Sequence, residues 1–287
     1  MTSPLVSVIV PLYNAEMYIE RALNSVLQQT YSNWEVVVVN DGSTDGSQTI
    51  VERFRMLDKR FNLINQQNMG RSEARNTATR HVRGEYVIYL DADDFLHPQL
   101  MEICVNCALR DGSDIVSFTY DHIYRLRNRI RQFMRLPECG PIIRRYCNPE
   151  YFVTDNIYDF ATEESHSEFI KSKWAVKHCQ AWRCMYHISM IEGIVWPAGI
   201  EYEDVPWGGA VLLRVKRATL LRLPLYFYYP NPTSYIISSD DTEKAASLKT
   251  ALDLSLKVYE NAPEYKAEAW KQNFVRPFAT WLEKHGF

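Results

Sequence analysis

Three carboxylates stand close together shortly before residue 100. Asp91, Asp93 and Asp94 follow an apolar run, with Ala92 between the first two. Because clustered carboxylates repel one another, a hard divalent cation that also grips substrate phosphates would relieve the repulsion. Aspartate is also common in turns and at helix starts. An acidic turn that caps a helix beginning near Pro98 is therefore the competing interpretation.

Two shorter motifs follow the first two apolar runs of the chain. Pro11 ends the first run, and Tyr13 beside it can lie against a flat base. The same residues, with Asn14 as a cap, can equally form a plain strand-to-helix turn. Asp41 follows the second run, where its carboxylate can accept hydrogen bonds from a base imide or simply help to close a loop. Both motifs are candidates for holding a nucleobase.

A glycine-containing loop leads into a predicted helix near position 70. Gly70 precedes Arg71 and Arg75, which are four residues apart and therefore share one helix face. Backbone N–H groups at a helix N-terminus attract anions, so two guanidinium groups beside them make a plausible diphosphate site. Single arginines near helix starts are commonplace, which is the alternative for each of them taken alone.

Short apolar runs alternate with helical patterns through the first hundred residues. Strands are predicted at Leu5 to Val10, Trp34 to Val39, Phe61 to Ile64 and Glu85 to Leu90, and helices at Asn14 to Gln29, Ser47 to Lys59, Arg71 to His81 and Pro98 to Arg110. This alternation predicts an α/β fold with a mostly parallel sheet and helices on both faces. The motifs all follow strand ends, so the fold brings them to one edge of the sheet. Together they can hold a nucleoside diphosphate with Mg²⁺ or Mn²⁺.

The second half of the chain has a less regular pattern. Its predicted elements are strands at Ile115 to Tyr120, Ala218 to Arg222 and Leu225 to Tyr229, and helices near Ser165 to Val176, Val205 to Leu213 and, in two pieces, Thr242 to His285. We divide the chain into a first half at 1–120, a second half at 121–240 and a helical extension at 241–287. Aromatic residues at helical spacing in the extension predict packing against the domain, with peripheral membrane contact through these C-terminal helices as the alternative.

Composition limits the classes of partner. The chain has 287 residues, 46% of them hydrophobic, and its net charge of -3 gives no footprint for nucleic acid. An arginine cluster within residues 125–135 is first interpreted as a solvated helix face or a mobile loop, with contact to phosphates or to an anionic membrane surface as the alternative. The first residues lack signal-peptide features and no apolar run is long enough to span a bilayer, so a cytoplasmic protein is expected. Cys104 and Cys107 are expected to be reduced structural thiols rather than zinc ligands.

The ordered set P-x-Y-N, N-D-G-S-T-D-G-S, N-x-G-x-S-x-A-R-N and D-A-D-D resembles the inverting glycosyltransferases of family 2, which have the GT-A fold. The resemblance is close over about the first hundred residues. It implies that Asp91 lies near the ribose of a nucleotide sugar, that Asp93 binds the metal and that Asp41 reads uracil. The edge of the nucleotide pocket would then be formed by Pro11, Tyr13 and Asn14.

A weaker similarity to the same family lies in the second half. Glu203 and Asp204 are similar to a Glu-Asp pair that opens a helix in the family's acceptor site. Such a carboxylate would take the proton of the acceptor hydroxyl, and Asp204 is the first candidate, ahead of Glu203 and then Glu201. Capping of the helix is the alternative role for all three. A looser similarity assigns acceptor contacts to aromatic residues, namely Trp182, Tyr186 and Trp207.

One segment departs from the family pattern. Relatives often carry an arginine before the serine in the region that corresponds to Tyr228 to Ser234, where this chain has prolines and Asn231. A diphosphate contact from that segment is therefore not expected. Arg71, Arg75 and the metal would carry more of the charge of the leaving group.

The resemblance implies a metal-dependent inverting glycosyltransferase that moves a sugar from a UDP-sugar to a hydroxyl of a glycan acceptor. The acceptor would belong to lipopolysaccharide, lipooligosaccharide, capsule or another surface polysaccharide and can be lipid-linked, which places the protein at the cytoplasmic face of the inner membrane. The residues do not select one sugar. A nucleotidyltransferase, a non-catalytic nucleotide-sugar binding subunit and a retaining transferase remain alternatives. No glycine-rich loop ending in lysine supports the first of these.

Overall fold

The computed structural model describes residues 3–122, 156–159, 180–229, 231 and 239–284. The predicted helix near Ser165 and the arginine cluster at 125–135 lie outside these residues. The described chain forms a single sheet with helices packed on its two faces. Strands from both predicted halves of the chain belong to this sheet.

Within the described residues the sheet has nine strands, which we number in chain order. They are β1 (Val6–Leu12), β2 (Trp34–Asp41), β3 (Phe61–Gln66), β4 (Tyr86–Tyr89), β5 (Phe95–Leu96), β6 (Ile115–His122), β7 (Asn156–Asp159), β8 (Cys184–His187) and β9 (Arg217–Tyr228). Their order is β3-β2-β1-β4-β8-β6-β9-β5, and β7 also pairs with β9. The first four strands are parallel, whereas β8 runs antiparallel to both β4 and β6. The sheet is therefore parallel across β1 to β4, as predicted, and mixed beyond them.

Helices connect and cover these strands. They are α1 (Ile19–Leu27), α2 (Ser47–Leu57), α3 (Arg71–Thr79), α4 (Leu100–Asp111), α5 (Ile188–Ile191), α6 (Asp204–Arg214), α7 (Asp241–Val258), α8 (Glu264–Trp270) and α9 (Arg276–Lys284), with a π-helical turn at Lys271–Val275 between the last two. One apolar core joins the sheet to α1, α2 and α4. A second core on the other face joins it to α3, α6 and the C-terminal helices. Because both faces are covered, the parallel strands are apolar on both sides, which explains why they appear in the sequence as continuous apolar runs.

The C-terminal helices hold α6 against the sheet through a stack of aromatic rings. The rings of Tyr259, Trp270 and Phe274 lie parallel, with centroids 4.9 and 4.1 Å apart along the stack. The Tyr259 hydroxyl donates a hydrogen bond to the Gly209 carbonyl of α6 at 3.1 Å. Trp270 and Phe274 are fully buried, so these two rings pack against the domain and present no face to a membrane. Of the helices that the structure describes, none has the length and apolarity to cross a bilayer.

Gly209 is expected to be intolerant of a side chain. A Cβ atom at this position would lie 3.2 Å from both Trp270 and Tyr259, and neither buried ring can move aside. Gly209→Ala should therefore lower the free energy of unfolding by about 1–2 kcal/mol, even though alanine favours a helix more than glycine does. Chemical denaturation measures the change. The added Cβ approaches the six-membered ring of Trp270. Phenylalanine has a shorter side chain than tryptophan and would leave room for that Cβ. Gly209→Ala combined with Trp270→Phe should therefore lose less stability than the two single variants together, and strict additivity would contradict this account.

Candidate active site

The loops that follow β1 and β2 are tied together by short polar side chains. Asn14 adopts a φ of +46°, and its side-chain oxygen accepts a hydrogen bond from the Thr44 backbone N–H at 2.8 Å. The Asn14 backbone N–H donates to the Ser43 hydroxyl at 3.0 Å. The prediction that Asn14 caps the first helix is therefore wrong, because α1 begins at Ile19 and Asn14 joins two loops instead. Tyr13 is 51% exposed at the rim of this edge, next to Pro11 at the end of β1.

Asp41 holds the loop before α3 in place. Its carboxylate is buried and accepts hydrogen bonds from the backbone N–H groups of Met69 and Gly70 at 2.9 and 2.8 Å. The Gln66 amide donates to the same carboxylate at 2.8 Å. Gly70 has a φ of +88°. This left-handed backbone conformation favours glycine, because glycine has no Cβ to clash with the backbone. Whatever else Asp41 contacts, it fixes the entry to the helix that carries Arg71 and Arg75.

Arg75 lies at the centre of a buried charge cluster that joins the two halves of the chain. Its guanidinium donates to Glu203 at 2.5 Å and to Asp91 at 3.1 Å. It also lies over the ring of Trp196 at 4.6 Å from the centroid. The side chains of Arg75 and Glu203 are only 7% and 6% exposed. Burial alone would lower the pKa of Arg75, but the charges of Asp91 and Glu203 outweigh it and raise that pKa, so the guanidinium stays charged.

The two arginines of α3 therefore differ in what they can do. Arg75 is committed to carboxylates inside the protein, so the prediction that it contacts a diphosphate directly is not supported by its position. Arg71 is partly exposed and pairs with Glu201 and with Glu203, the latter at 3.1 Å. Arg71 thus remains the accessible cation at the start of α3.

Asp204 begins α6 beside this cluster. Burial raises the pKa of its carboxyl to about 7, and the neighbouring charge of Glu203 adds to the effect, against the opposing charges of Arg75 and Arg71. Glu203, by contrast, uses one carboxylate oxygen to pair with both arginines. The residue before the pair, Tyr202, has a φ of +57°, a strained conformation of the kind that clusters at functional sites.

The three aspartates after β4 have different environments. Asp91 is partly exposed and pairs with Arg75. Burial, followed by the charge of Asp91, raises the pKa of Asp93 to about 6, and the Asn231 amide donates to its carboxylate at 3.1 Å. Asp94 is fully buried and accepts from the Tyr226 hydroxyl at 2.7 Å. Asp94 therefore anchors β9 to the motif and does not face a ligand, whereas Asp91 and Asp93 do share the open edge.

Tyr226, Asn231 and Arg21 belong to this site although the sequence did not single them out for it. The Asp91 backbone N–H donates to the Tyr226 hydroxyl at 3.2 Å, and Arg21 donates to the Asp93 carbonyl at 2.5 Å. Each of these residues is more than 70 positions from the motif it contacts. No local pattern could have identified them.

The aromatic residues assigned to the acceptor require a correction. Trp207 is 1% exposed and stacks on Trp196 at 4.1 Å, and Tyr186 is 3% exposed with its ring edge-on to Trp207. Both rings are core residues beneath the charge cluster, so they offer no surface to a sugar. Trp182 is different, because it is only partly buried and stacks on Tyr226, the tyrosine that holds Asp94.

A cleft of about 510 Å³ opens beside the charge cluster. One wall is the start of α3 and another is α7, with the loop before α6 between them. Its lining includes Gly70, Arg71, Ile200, Glu201, Ser247 and Thr250. Hydroxyl and charged groups beside small apolar ones form a surface suited to a polar ligand with C–H faces, such as a carbohydrate.

A divalent cation would have two protein carboxylates available here. Among the described residues, no group of three or more His, Cys, Asp or Glu side chains is arranged as a metal site. Asp91 and Asp93 nevertheless fit a cation that completes its shell with phosphate oxygens and water, as Mg²⁺ commonly does. Burial raises the pKa of Asp93 and the neighbouring charge of Asp91 raises it further, and such a cation would relieve that repulsion.

Comparison with known proteins finds related glycosyltransferases. The chain is 31% identical over 234 residues to the uncharacterized glycosyltransferase EpsJ of Bacillus subtilis, with 80% of this chain and 62% of EpsJ covered. It is 32% identical over 223 residues to the glycosyltransferase GlyA of Streptococcus pneumoniae, with 78% of this chain and 30% of GlyA covered. The chain thus spans less than two thirds of the length of these relatives.

Solved structures give the fold. S. aureus TarS, crystallised with UDP-GlcNAc, matches with a TM-score of 0.72 at 22% identity, covering 96% of this chain and 72% of that one. The mannosyltransferase PcManGT of Pyrobaculum calidifontis, solved with GDP-Man and Mn²⁺, matches with a TM-score of 0.65 at 20% identity, covering 98% and 74% of the two chains. The predicted GT-A fold is confirmed. The sequence pattern of "Glycosyl transferase family 2" matches residues 7–184, and the chain belongs to that family.

Proposed function

We propose that the chain is an inverting glycosyltransferase that moves one sugar from a UDP-sugar to a hydroxyl of a glycan acceptor. The observation that carries the proposal is the buried Arg75, which joins Asp91 of the donor motif to Glu203 of the acceptor motif. This link supports a metal site at Asp91 and Asp93 close to a candidate base at the same edge of the sheet. A donor and an acceptor can thus meet there in a fixed geometry.

Asp204 is the general base in this proposal. A base that works near neutral pH needs a pKa close to 7, and burial beside Glu203 gives Asp204 such a value. Glu203 is occupied by Arg71 and Arg75 and acts by positioning them. Asp204 would take the proton of the acceptor hydroxyl as its oxygen attacks the anomeric carbon, opposite to the departing diphosphate.

The donor is held by the loops at the ends of the parallel strands. Tyr13 and Asp41, with Pro11 and Asn14, bound the nucleotide pocket, and Arg71 with the start of α3 faces the diphosphate. Mg²⁺ or Mn²⁺ on Asp93 and Asp91 would neutralise charge on the leaving diphosphate. TarS solved with UDP-GlcNAc supports a UDP-sugar, and PcManGT solved with Mn²⁺ supports a metal.

The acceptor would be a growing surface polysaccharide, lipid-linked or free, and the enzyme would work at the cytoplasmic face of the membrane. Glu201, which precedes the proposed base in the loop before α6, lines the cleft between α3 and α7, and this supports the cleft as the acceptor side. The donor-binding half, 1–120, and the acceptor-binding half, 121–240, would meet across this edge. Within the extension 241–287, α7 forms the outer wall of the cleft.

Calorimetric titration with UDP, GDP, ADP and CMP, first with Mn²⁺ and then with EDTA, tests the donor. We expect UDP to bind with metal, and Asp93→Ala to weaken that binding by about tenfold or more because a ligand of the metal is lost. Asp253→Ala, on the exposed face of α7, is the matched control and should bind UDP normally. Metal-independent binding, or equal affinity in Asp93→Ala, would rule out the metal role. Tighter binding of GDP than of UDP would indicate a GDP-sugar as the donor instead.

A further inference from the structure

The last turn of α2 exposes two large apolar side chains. Met56 is 83% exposed and Leu57 is 80% exposed. Other apolar residues of the same helix, including Val51 and Phe54, are buried in the core. Adjacent exposed apolar side chains with a polar rim mark interaction surfaces rather than ordinary solvent-facing positions.

Basic side chains lie on the last turns of α2, just after it, and at the neighbouring edge of β3. All of them are exposed, and we call them, together with Met56 and Leu57, the α2 patch: Arg53, Arg55, Lys59, Arg80, His81 and Arg83. The chain as a whole carries a net charge of -3. The positive charge of the α2 patch therefore runs against the average of the molecule.

Nearby carboxylates neutralise only part of this charge. Ion pairs join Glu52 to Arg55, Asp58 to Arg60 and Glu35 to Arg83, at 3.2, 2.7 and 2.6 Å. Within the part of the chain that the structure describes, no carboxylate lies within ion-pair distance of Arg53, Lys59 or Arg80. These cations remain available to an external anion.

A concave surface adjoins the apolar tip. A cleft of about 610 Å³ lies along the outer edge of β3, and the basic side chains that line it are Arg55, Lys59, His81 and Arg83. Glu35 also lines it, but its carboxylate is already paired with Arg83. Of the lysine and arginine side chains that line the cleft, Arg55 and Arg83 are already paired, whereas Lys59 has no carboxylate partner among the described residues and can meet a phosphate group beside the apolar tip.

We propose that the α2 patch docks the protein on an anionic lipid bilayer. Met56 and Leu57 would enter the interface, and the surrounding cations would meet anionic headgroups, each contributing to binding. The charge complementarity selects this occupant. A second copy of the chain would oppose the same positive charges, which disfavours self-association through the patch.

The position of the α2 patch is compatible with an open active site. Because α2 runs antiparallel to the parallel strands, its last turn lies at their N-terminal ends. The carboxylates after β4 lie at the opposite edge of the sheet. Docking through the α2 patch thus leaves Asp91, Asp93 and Asp204 uncovered, and the proposal does not depend on the chemistry performed there.

Co-sedimentation of the full chain with lipid vesicles tests the proposal. We expect binding to vesicles of phosphatidylcholine with an equal amount of phosphatidylglycerol, little binding to phosphatidylcholine alone, and weakening by salt. Arg53→Glu combined with Lys59→Glu should lower the partition coefficient by about tenfold or more. Met56→Asp combined with Leu57→Asp should do the same, with circular dichroism showing unchanged folding.

Met17→Asp combined with Leu109→Asp is the matched control, because both side chains are exposed apolar residues outside the α2 patch. This variant should bind vesicles like the unmodified protein. Failure of the unmodified protein to bind, equal binding to both kinds of vesicle, or an equal loss in the control would overturn the proposal. Lipid-independent dimerisation that the α2 patch variants abolish would instead assign the surface to a second copy and overturn it as well.

Discussion

Asp204→Asn is expected to lower the turnover of glycosyl transfer by roughly 10²-fold or more, the usual scale for a lost general base, with UDP binding unchanged. Asparagine keeps the size of the side chain at the start of α6 but cannot accept a proton from an acceptor hydroxyl. The measurement is kcat with the best UDP-sugar found by screening, beside calorimetric UDP binding. A non-catalytic nucleotide-sugar binding subunit would bind UDP with no turnover in either protein. Full activity in the variant would reject Asp204 as the base.

The pH dependence of kcat/KM in the unmodified enzyme should also reveal the ionisation of Asp204. A base must be unprotonated to act, and the pKa of Asp204 is raised to about 7. The value of kcat/KM should therefore rise with pH and level off above about 7. Protonation of Asp93, whose pKa is raised to about 6, would add a second loss at lower pH unless a bound metal lowers it. An acid limb with no inflection near 7 would contradict the assignment.

Asp204→Asn should also stabilise the fold at alkaline pH. The pKa of Asp204 is higher in the folded chain than the ordinary value of 3.8, so above pH 7 the folded protein holds an unfavourable charge. Asp204→Asn removes it, and unfolding at pH 8 should need about 1–3 kcal/mol more free energy. The difference should shrink as the pH falls toward 5, because the folded carboxyl becomes neutral. Glu203→Gln is the contrasting variant, and should lose stability because it weakens the pairing with Arg75 and Arg71.

The first half of this fold could be predicted because its signals are local. Buried parallel strands require continuous apolar runs, so β1 to β4 were found to within two residues at each end. The strand β8 was missed because its place in the sheet depends on antiparallel pairing with β4 and β6, which come from distant parts of the chain. The predicted strands at Ala218 and Leu225 are one strand, β9, whose pairing with β6 is irregular where Thr119 meets Pro224.

In the site, residue type was easier to predict than residue role. The convergence of the motifs followed from the edge rule for parallel sheets. The role of Arg75 did not follow, because its partner Glu203 lies 128 positions away and helical spacing alone cannot show which face is buried. For the same reason Tyr186 and Trp207, which are similar to acceptor-site aromatics in sequence, proved to be core residues.

Arg75→Met is expected to destabilise the protein by about 3–5 kcal/mol, the range found when one partner of a buried ion pair is removed. Methionine fills much of the space but leaves the buried Glu203 carboxylate without its closest cation. Denaturant unfolding measures the loss. Arg55→Met is the matched control, because Arg55 is 51% exposed and its pair with Glu52 is on the surface. That variant should change stability by less than about 1 kcal/mol.

The double variant Arg75→Met with Glu203→Gln distinguishes two possible roles of Arg75, namely a structural ion-pair partner and a ligand of the donor diphosphate. If Arg75 serves mainly to neutralise Glu203 and Asp91, the double variant should regain much of the lost stability, because the uncompensated buried charge is gone. If Arg75 instead binds the diphosphate, as its position on α3 first indicated, the single variant should fold almost normally and lose UDP affinity. The geometry favours the first result, since the Arg75 side chain is only 7% exposed and its guanidinium is paired with both Asp91 and Glu203.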